Sequence, residues 1–420
     1  MTAAEQLSDF GPRLRAFAEV VVRVGLNLQR GQRLLIAEPY ELQGVDRGAT
    51  VIVEAVRAAA RAAGCPHPAG IEVIWGDGPQ LRESAAKSDW RGFTRAVAAN
   101  TKKMEECLRH GDALLFLQGS QPDLMAGMPT NRVAELRRIG WEHFGRIAGQ
   151  LVAGGTNWTV APAPTHAWAQ AVYADLPTDQ QLAALWETVF AACRIRPALA
   201  AGPLPGPPSS DRPADDPIAT WHTHLLALQN RRDKLNSLRL TTLRYAGDGT
   251  DFTLTLPPEH VWCTAQLTSH SGVAFVANLP TEEVFTTPHK DSAAGTVRVA
   301  RPINYGGAMI DGIELEFRQG RVVRASARSG HDLLNRLLDT DDGAVRLGEV
   351  ALVPHATTLA SSGRLFHHSL LDENASDHIA LGEAYDFCLR SPNPRATNRS
   401  LIHVDLSLDA LVSSPGTDLS

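Results

Sequence analysis

Apolar positions in the first half of the chain switch between two spacings. From Leu14 to Leu28 they recur at helical intervals, and GQRLLIAEP then reads as a short apolar strand opened by a turn glycine. Asp46–Ala63 is Ala-rich with Val and Ile on a helical period, and GIEVIWG is a second strand. DALLFLQG, around Leu114–Leu117, is a third strand, and Pro129–Ala148 is a helix with Arg and Glu on its wet face. NWTVAPAP is a fourth strand and Gln180–Cys193 a further helix. Strands separated by helices of this length predict βαβ units and a mainly parallel sheet.

The pattern changes at RPALAAGPLPGPPSSDRPADDP, Arg196 to Pro217, whose Pro, Ser and Gly content predicts a linker or long surface loop. Beyond it, one helix (Ile218–Leu235) is followed by short alternating runs such as LRLTTLRYAGDGTDFTLTL and GIELEFRQGRVVRASA, in which GDGTD and RQGR are hairpin turns. Helical spacing returns at Asp332–Leu338 and in LLDENASDHIALGEAY, Leu370–Tyr385. The prediction is an α/β fold in two parts: an N-terminal α/β domain (1–195) with a mainly parallel sheet, and, after the Pro-rich linker (196–217), a C-terminal α+β catalytic domain (218–420).

Composition narrows the function classes. Among 420 residues, Lys+Arg is 40 and Asp+Glu 46, a net charge of 40 − 46 = −6, so there is no basic footprint for nucleic acid. No run of 18 apolar residues predicts a membrane span, and MTAAEQLSDFGPRLRAF lacks the basic start and apolar stretch of a signal peptide. The five cysteines are scattered and odd in number, which predicts reduced thiols in a soluble cytoplasmic protein. The chain has no GxGxxG, no phosphate loop, no HExxH and no GxSxG.

The candidate chemistry lies in the second half. On a helix, His378 and Tyr385 would return to one face after two turns, and Glu373 would stand near the start, where the helix dipole favours an anion. In LIHVDL, His403 and Asp405 are two apart, share a face of a strand, and offer a nitrogen and an oxygen within one metal's reach. LGEVALVP puts Glu349 at the start of a strongly apolar strand, where an acid must be paired or metal-bound. NLPTEEVFTTP adds Glu282 and Glu283, of which strand alternation lets one face the site. Each fragment alone is also compatible with hydrogen-bonded structure. Of the other histidines, His222 and His224 fall on a helix predicted to be exposed. Together, two His, one Asp, two or three Glu and a Tyr suit a pair of divalent ions bridged by a carboxylate.

In this order, NLPTEEVFTTPHKD, YGGAMIDGIELEFRQGRVV, LGEVALVP, LFHHSLLDENASDHIALGEAY and the final HVD resemble the thermophilic-type metalloaminopeptidases, the family of aminopeptidases T, S and PepS. AEVVVRVGLNLQRGQRLLIAEP is similar to that family's opening, and the resemblance spans about residues 14 to 405. It implies a homodimeric aminopeptidase acting on peptides with a free N-terminus through two divalent ions, zinc or cobalt, with magnesium or manganese as alternatives. It implies Glu283, Glu349, His378, His403 and Asp405 as metal ligands, Glu373 as general base, and Tyr385 in the site. Glu349, as the bridge, would also be catalytic. The tail after HVD, LSLDALVSSPGTDLS, is shorter and more polar than the family's, which leaves room for a specialised biosynthetic peptidase or amidase, or for a binding protein without turnover. Ring-cleaving dihydroxypyridine dioxygenases resemble the same fold, and there His378, His403 and Asp405 would hold one iron. Glu283 and Glu349 would be superfluous to that chemistry.

Overall fold

The computed structural model describes residues 9–38, 44–66, 70–119, 121–197, 216–415 and 417–419. Most of the predicted Pro-rich linker, 198–215, lies outside the described residues. The four predicted strands of the first half are Leu34–Ala37, Ile71–Val73, Ala113–Gln118 and Trp158–Pro162. They form one parallel sheet with Leu34–Ala37 between Ile71–Val73 and Ala113–Gln118, and Trp158–Pro162 at the edge. All six residues of Ala113–Gln118 are buried, as expected for a parallel strand covered by helices on both sides. The covering helices include Thr50–Ala62 and Thr130–Val152. Two more, Gly78–Lys87 and Trp90–His110, are absent from the sequence prediction, although Asp77 and Asp89 cap them by accepting from the N–H of Gln80 and Gly92.

The second half is antiparallel. A seven-stranded sheet contains both predicted hairpins: Thr242–Gly247 with Thr250–Thr255, and Glu314–Arg318 with Arg321–Ser326. A separate four-stranded sheet runs His403–Ser407, His378–Gly382, Leu347–Leu352, Val284–Thr286, every neighbour antiparallel.

The stretch Leu370–Tyr385 is not one helix. Ser369–Glu373 is a short helix, and the chain then turns into the strand His378–Gly382. Polar side chains break the helix by capturing backbone from elsewhere. Asn374 Oδ1 accepts from Glu282 N–H at 2.6 Å, and Asp377 Oδ1 accepts from Val353 N–H at 2.7 Å. Beyond them the backbone finds ladder partners on both sides, which a lone helix would forgo.

The two halves join through the edge of the parallel sheet. Val160 N–H donates to Ala277 O at 2.8 Å and Leu279 N–H to Val160 O at 2.9 Å, so the parallel sheet holds the segment that runs into Glu282 and Glu283. One continuous apolar core runs through both halves. Among the described residues no helix is long and apolar enough to cross a membrane.

Candidate metal centre

The register of the four-stranded sheet decides which side chains meet. Ala380 stands opposite both Glu349 and Asp405, Gly382 opposite His403, and Ala351 opposite both His378 and Phe285. Side chains alternate along a strand, so Glu349, His378, His403 and Asp405 share one face, and Glu283, two residues before Phe285, joins them. Ala351, Ala380 and Gly382 sit among them and leave room above the sheet. On the opposite face Val350, Leu352, Ile379, Leu381 and Leu406 enter the main core.

Glu349 reaches the polar face through a bulge. Leu347 pairs with Leu381 and Glu349 with Ala380, so Gly348 is the extra residue. In an unbroken register Glu349 would oppose Ile379 and point into the apolar core. Gly348 permits the bulge because a Cβ there would lie 2.1 Å from Glu383 O.

Two three-residue groups result: Glu283, Glu349 and His378, and Glu349, His403 and Asp405. Within each, one ligand atom per residue lies within 4.8 Å of the others. Glu349 belongs to both, presenting Oε1 to His378 Nε2 at 3.5 Å and Oε2 to His403 Nε2 at 3.7 Å. Glu283 Oε2 is 3.3 Å from His378 Nε2, and Asp405 Oδ1 is 3.4 Å from His403 Nε2. Both imidazoles turn Nε2 inward because a main-chain carbonyl takes the other nitrogen. His403 Nδ1 contacts Glu383 O at 2.9 Å and His378 Nδ1 contacts Ser376 O at 3.3 Å. Three carboxylates and two oriented imidazoles are a donor set suited to divalent cations.

The electrostatics of the chain alone show how strongly this face favours positive charge. Burial would depress both imidazoles, yet the acids outweigh it: Glu283 and Glu349 hold His378 well above the usual histidine range, and Asp405 with Glu349 lifts His403 to about 9. Asp405, despite burial, is held down at about 2 by His403. Burial raises Glu349. Glu373 is pushed well above the carboxylate range, first by burial and then by repulsion from Asp405 and Glu283.

The remaining predicted residues gather here as well. Glu373, at the end of its short helix, shares a hydrogen bond with Asp405. Tyr385, just past the strand rather than on a helix, stacks on His403 with ring centres 5.0 Å apart and its hydroxyl 3.4 Å from His403 Nε2. Glu282 turns away and accepts from Arg194 at 2.7 Å, so alternation does separate the two neighbouring acids. His224, expected on an exposed helix, is largely buried because Thr281 O comes within 2.7 Å of its Nε2. Burial and Arg194 lower its pKa to about 4.

Sequence reasoning missed the wall facing the acids. Val152, Trp158 and Val160, from the first half, line the same space as Tyr385, His403 and Asp405. It also missed the brace behind Glu373. There Asp372 accepts from the N–H of Phe366 and His368, and His368 stacks on Trp168 at 4.5 Å. Burial raises Asp372 to about 6. No local signal marks these residues, since each acquires its place only when the halves dock.

Comparison with known proteins identifies the family. Residues 10–413 match the family model of thermophilic metalloproteases, M29. The chain is 36% identical to aminopeptidase 2 of Geobacillus stearothermophilus over 94% of this chain and 91% of that protein. It is 35% identical to aminopeptidase T of Thermus thermophilus over 95% and 93%. The solved structure of wild-type AmpT from Thermus thermophilus superposes with a TM-score of 0.81 at 34% identity, covering 96% of this chain and 95% of that one. The chain therefore belongs to the M29 family of metalloproteases. A solved dihydroxypyridine dioxygenase from Pseudomonas putida, at TM-score 0.47 and 13% identity, is too distant to support the single-iron alternative.

Proposed function

We propose that this protein is a metal-dependent aminopeptidase that removes the N-terminal residue of short peptides, with two divalent ions held by Glu283, Glu349, His378, His403 and Asp405. The observation that carries the reading is Glu349, which offers one oxygen to each of two donor groups. Zinc and cobalt match the mixed nitrogen and oxygen donors, with magnesium or manganese as alternatives. When bound, such ions activate water and polarise the scissile carbonyl. The relatives' names, aminopeptidase 2 and aminopeptidase T, support the reaction class. A cytoplasmic homodimer completes the reading on family resemblance.

The chain's own residues then divide the work. Glu373 is the proton acceptor and donor: it is the acid that stands beside Asp405 in the cavity without belonging to either donor group. Its short helix is held by Asn374, whose Nδ2 donates to Leu370 O at 2.8 Å while Oδ1 takes Glu282 N–H. Tyr385 offers its hydroxyl to the substrate's carbonyl oxygen as charge develops there. Phe387, stacked on Tyr385 at 5.3 Å and 10°, keeps the ring in place and excludes water from one side.

The test is to strip metal from the protein and titrate zinc or cobalt back while following release of a chromogenic amine from leucine and arginine amides. Activity that saturates near two ions per chain is expected. Saturation at one ion would remove the shared role of Glu349. Oxygen uptake with ferrous iron and a hydroxypyridine, without peptide cleavage, would overturn the reading.

A further inference from the structure

Two cavities meet at the acid cluster and differ in character. One, of about 130 Å³, has Glu283, Glu349 and His378 on its floor and Ala265, Leu267, Ala277, Phe285 and Phe387 among its walls. Among the described residues no lysine or arginine lines it, and Asn278 is its only side-chain amide. The other, of about 230 Å³, continues past Phe116, Trp141 and Phe144 and carries Arg137 and Arg301 as well as Glu38 and Asp372. Val152, Trp158, Val160, Glu373, Tyr385 and His403 belong to both and form the waist between them.

The geometry points to the smaller cavity as the pocket for the first residue of the substrate, and to peptides that begin with an uncharged apolar side chain as the substrate class. This rests on the aminopeptidase reading above. A peptide lying across the waist must put its amine on one side and its remaining residues on the other. The amine belongs at the ligand set of Glu283, Glu349 and His378, which only the smaller cavity reaches. The longer remainder needs the larger cavity. The side chain next to the amine then meets alanine, leucine and phenylalanine. Beyond the acids the walls are apolar, so an isobutyl group there would bury its surface against matching side chains. An acidic first side chain would find no lysine or arginine among the described residues of the walls and would lose its water against apolar surface. A lysine side chain would lose its water against apolar walls.

Ala277 bounds this pocket and sits on the segment held by Val160 N–H. A larger residue there should fill the pocket without touching the acids. The experiment compares kcat/KM for the leucine, phenylalanine, alanine and glutamate p-nitroanilides in wild type, Ala277→Leu and Leu267→Ala, all metal-loaded. Calorimetric binding of leucinamide and of glutamic acid α-amide is measured in parallel. In wild type the leucine substrate should exceed alanine by about 10- to 100-fold, from apolar contact alone, and exceed glutamate by more. Ala277→Leu should lower the leucine-to-alanine ratio at least about tenfold. Leu267→Ala should shift preference towards phenylalanine. Ratios cancel any general loss of fold or metal. Equal kcat/KM for glutamate, alanine and leucine, with turnover intact, would overturn the pocket and leave the aminopeptidase reading standing. No turnover of any amide would sink that reading, and the calorimetry would still judge the pocket. Tighter binding of leucinamide than of the glutamate amide supports it, and the reverse order refutes it.

Discussion

The inner strands of the parallel sheet of the first half and of the four-stranded sheet of the second are buried on two faces, yet they satisfy burial by opposite means. Ala113–Gln118 meets helices on either side and does so with almost wholly apolar residues. His378–Gly382 is equally buried, and one of its faces carries an imidazole in a field of carboxylates. The first sheet draws its stability mainly from apolar burial, with Gln118 and Thr159 the buried polar exceptions. The second must satisfy each polar group with another of opposite character, which leaves it dependent on register. A shift of one residue costs a parallel core strand some packing. In the second sheet it would send Glu349 into the apolar core, and the bulge at Gly348 is what prevents this.

That contrast can be broken most sharply at the shared acid. Glu349→Gln should abolish amide hydrolysis and lower the bound metal below two ions per chain, read by kinetics and elemental analysis together. An active, metal-replete Glu349→Gln protein would end the bridging role. Glu373→Gln should retain metal and lose about 10²- to 10⁴-fold in kcat, the range for removing a general base. Loss of metal in that variant would make Glu373 a ligand instead. On the opposite face, Ile379→Ala should cost about 2–5 kcal/mol in urea unfolding while the folded protein keeps its metal stoichiometry. A change in stoichiometry would show that the faces are not independent.

The smallest effect concerns the brace behind Glu373. Burial lowers His368 to about 4, whereas the unfolded chain titrates near 6.5. As pH falls below about 6.5 the unfolded state takes the proton first, so stability present at pH 7 is lost as pH falls towards 4. Between pH 7 and pH 5 wild type should lose about 2 kcal/mol more than His368→Gln. Parallel urea midpoints for the two proteins would refute this.

How much of this was readable in the sequence depended on how local each cause is. His403 and Asp405 were legible because two residues on one strand face need nothing but the strand itself. The division between Glu282 and Glu283 followed from the same alternation, and Glu349 from the cost of an acid in an apolar run. The stretch Leu370–Tyr385 misled because a strand buried on both faces has no period of two, so His378–Leu381 reads equally well as a turn of core helix. What ends the helix is Asn374 and Asp377 binding backbone at positions 282 and 353, far away in sequence. His224 looked exposed for a similar reason: the carbonyl that covers it arrives from residue 281. Trp158 and Val160 were placed correctly on a strand, but their role as a wall of the site depends on the docking of two halves that the sequence shows only as separate textures.

The hydrogen bonds between Val160 and the 277–279 segment also bear on how the chain comes to be made. Trp158–Pro162 is the outermost strand of the parallel sheet, and during synthesis it emerges more than a hundred residues before the segment that covers it. Until then its unpaired backbone is an open template for another extended chain. Coverage of that rim closes one of the two edges of the parallel sheet, and it does so with backbone alone, independently of the acid cluster.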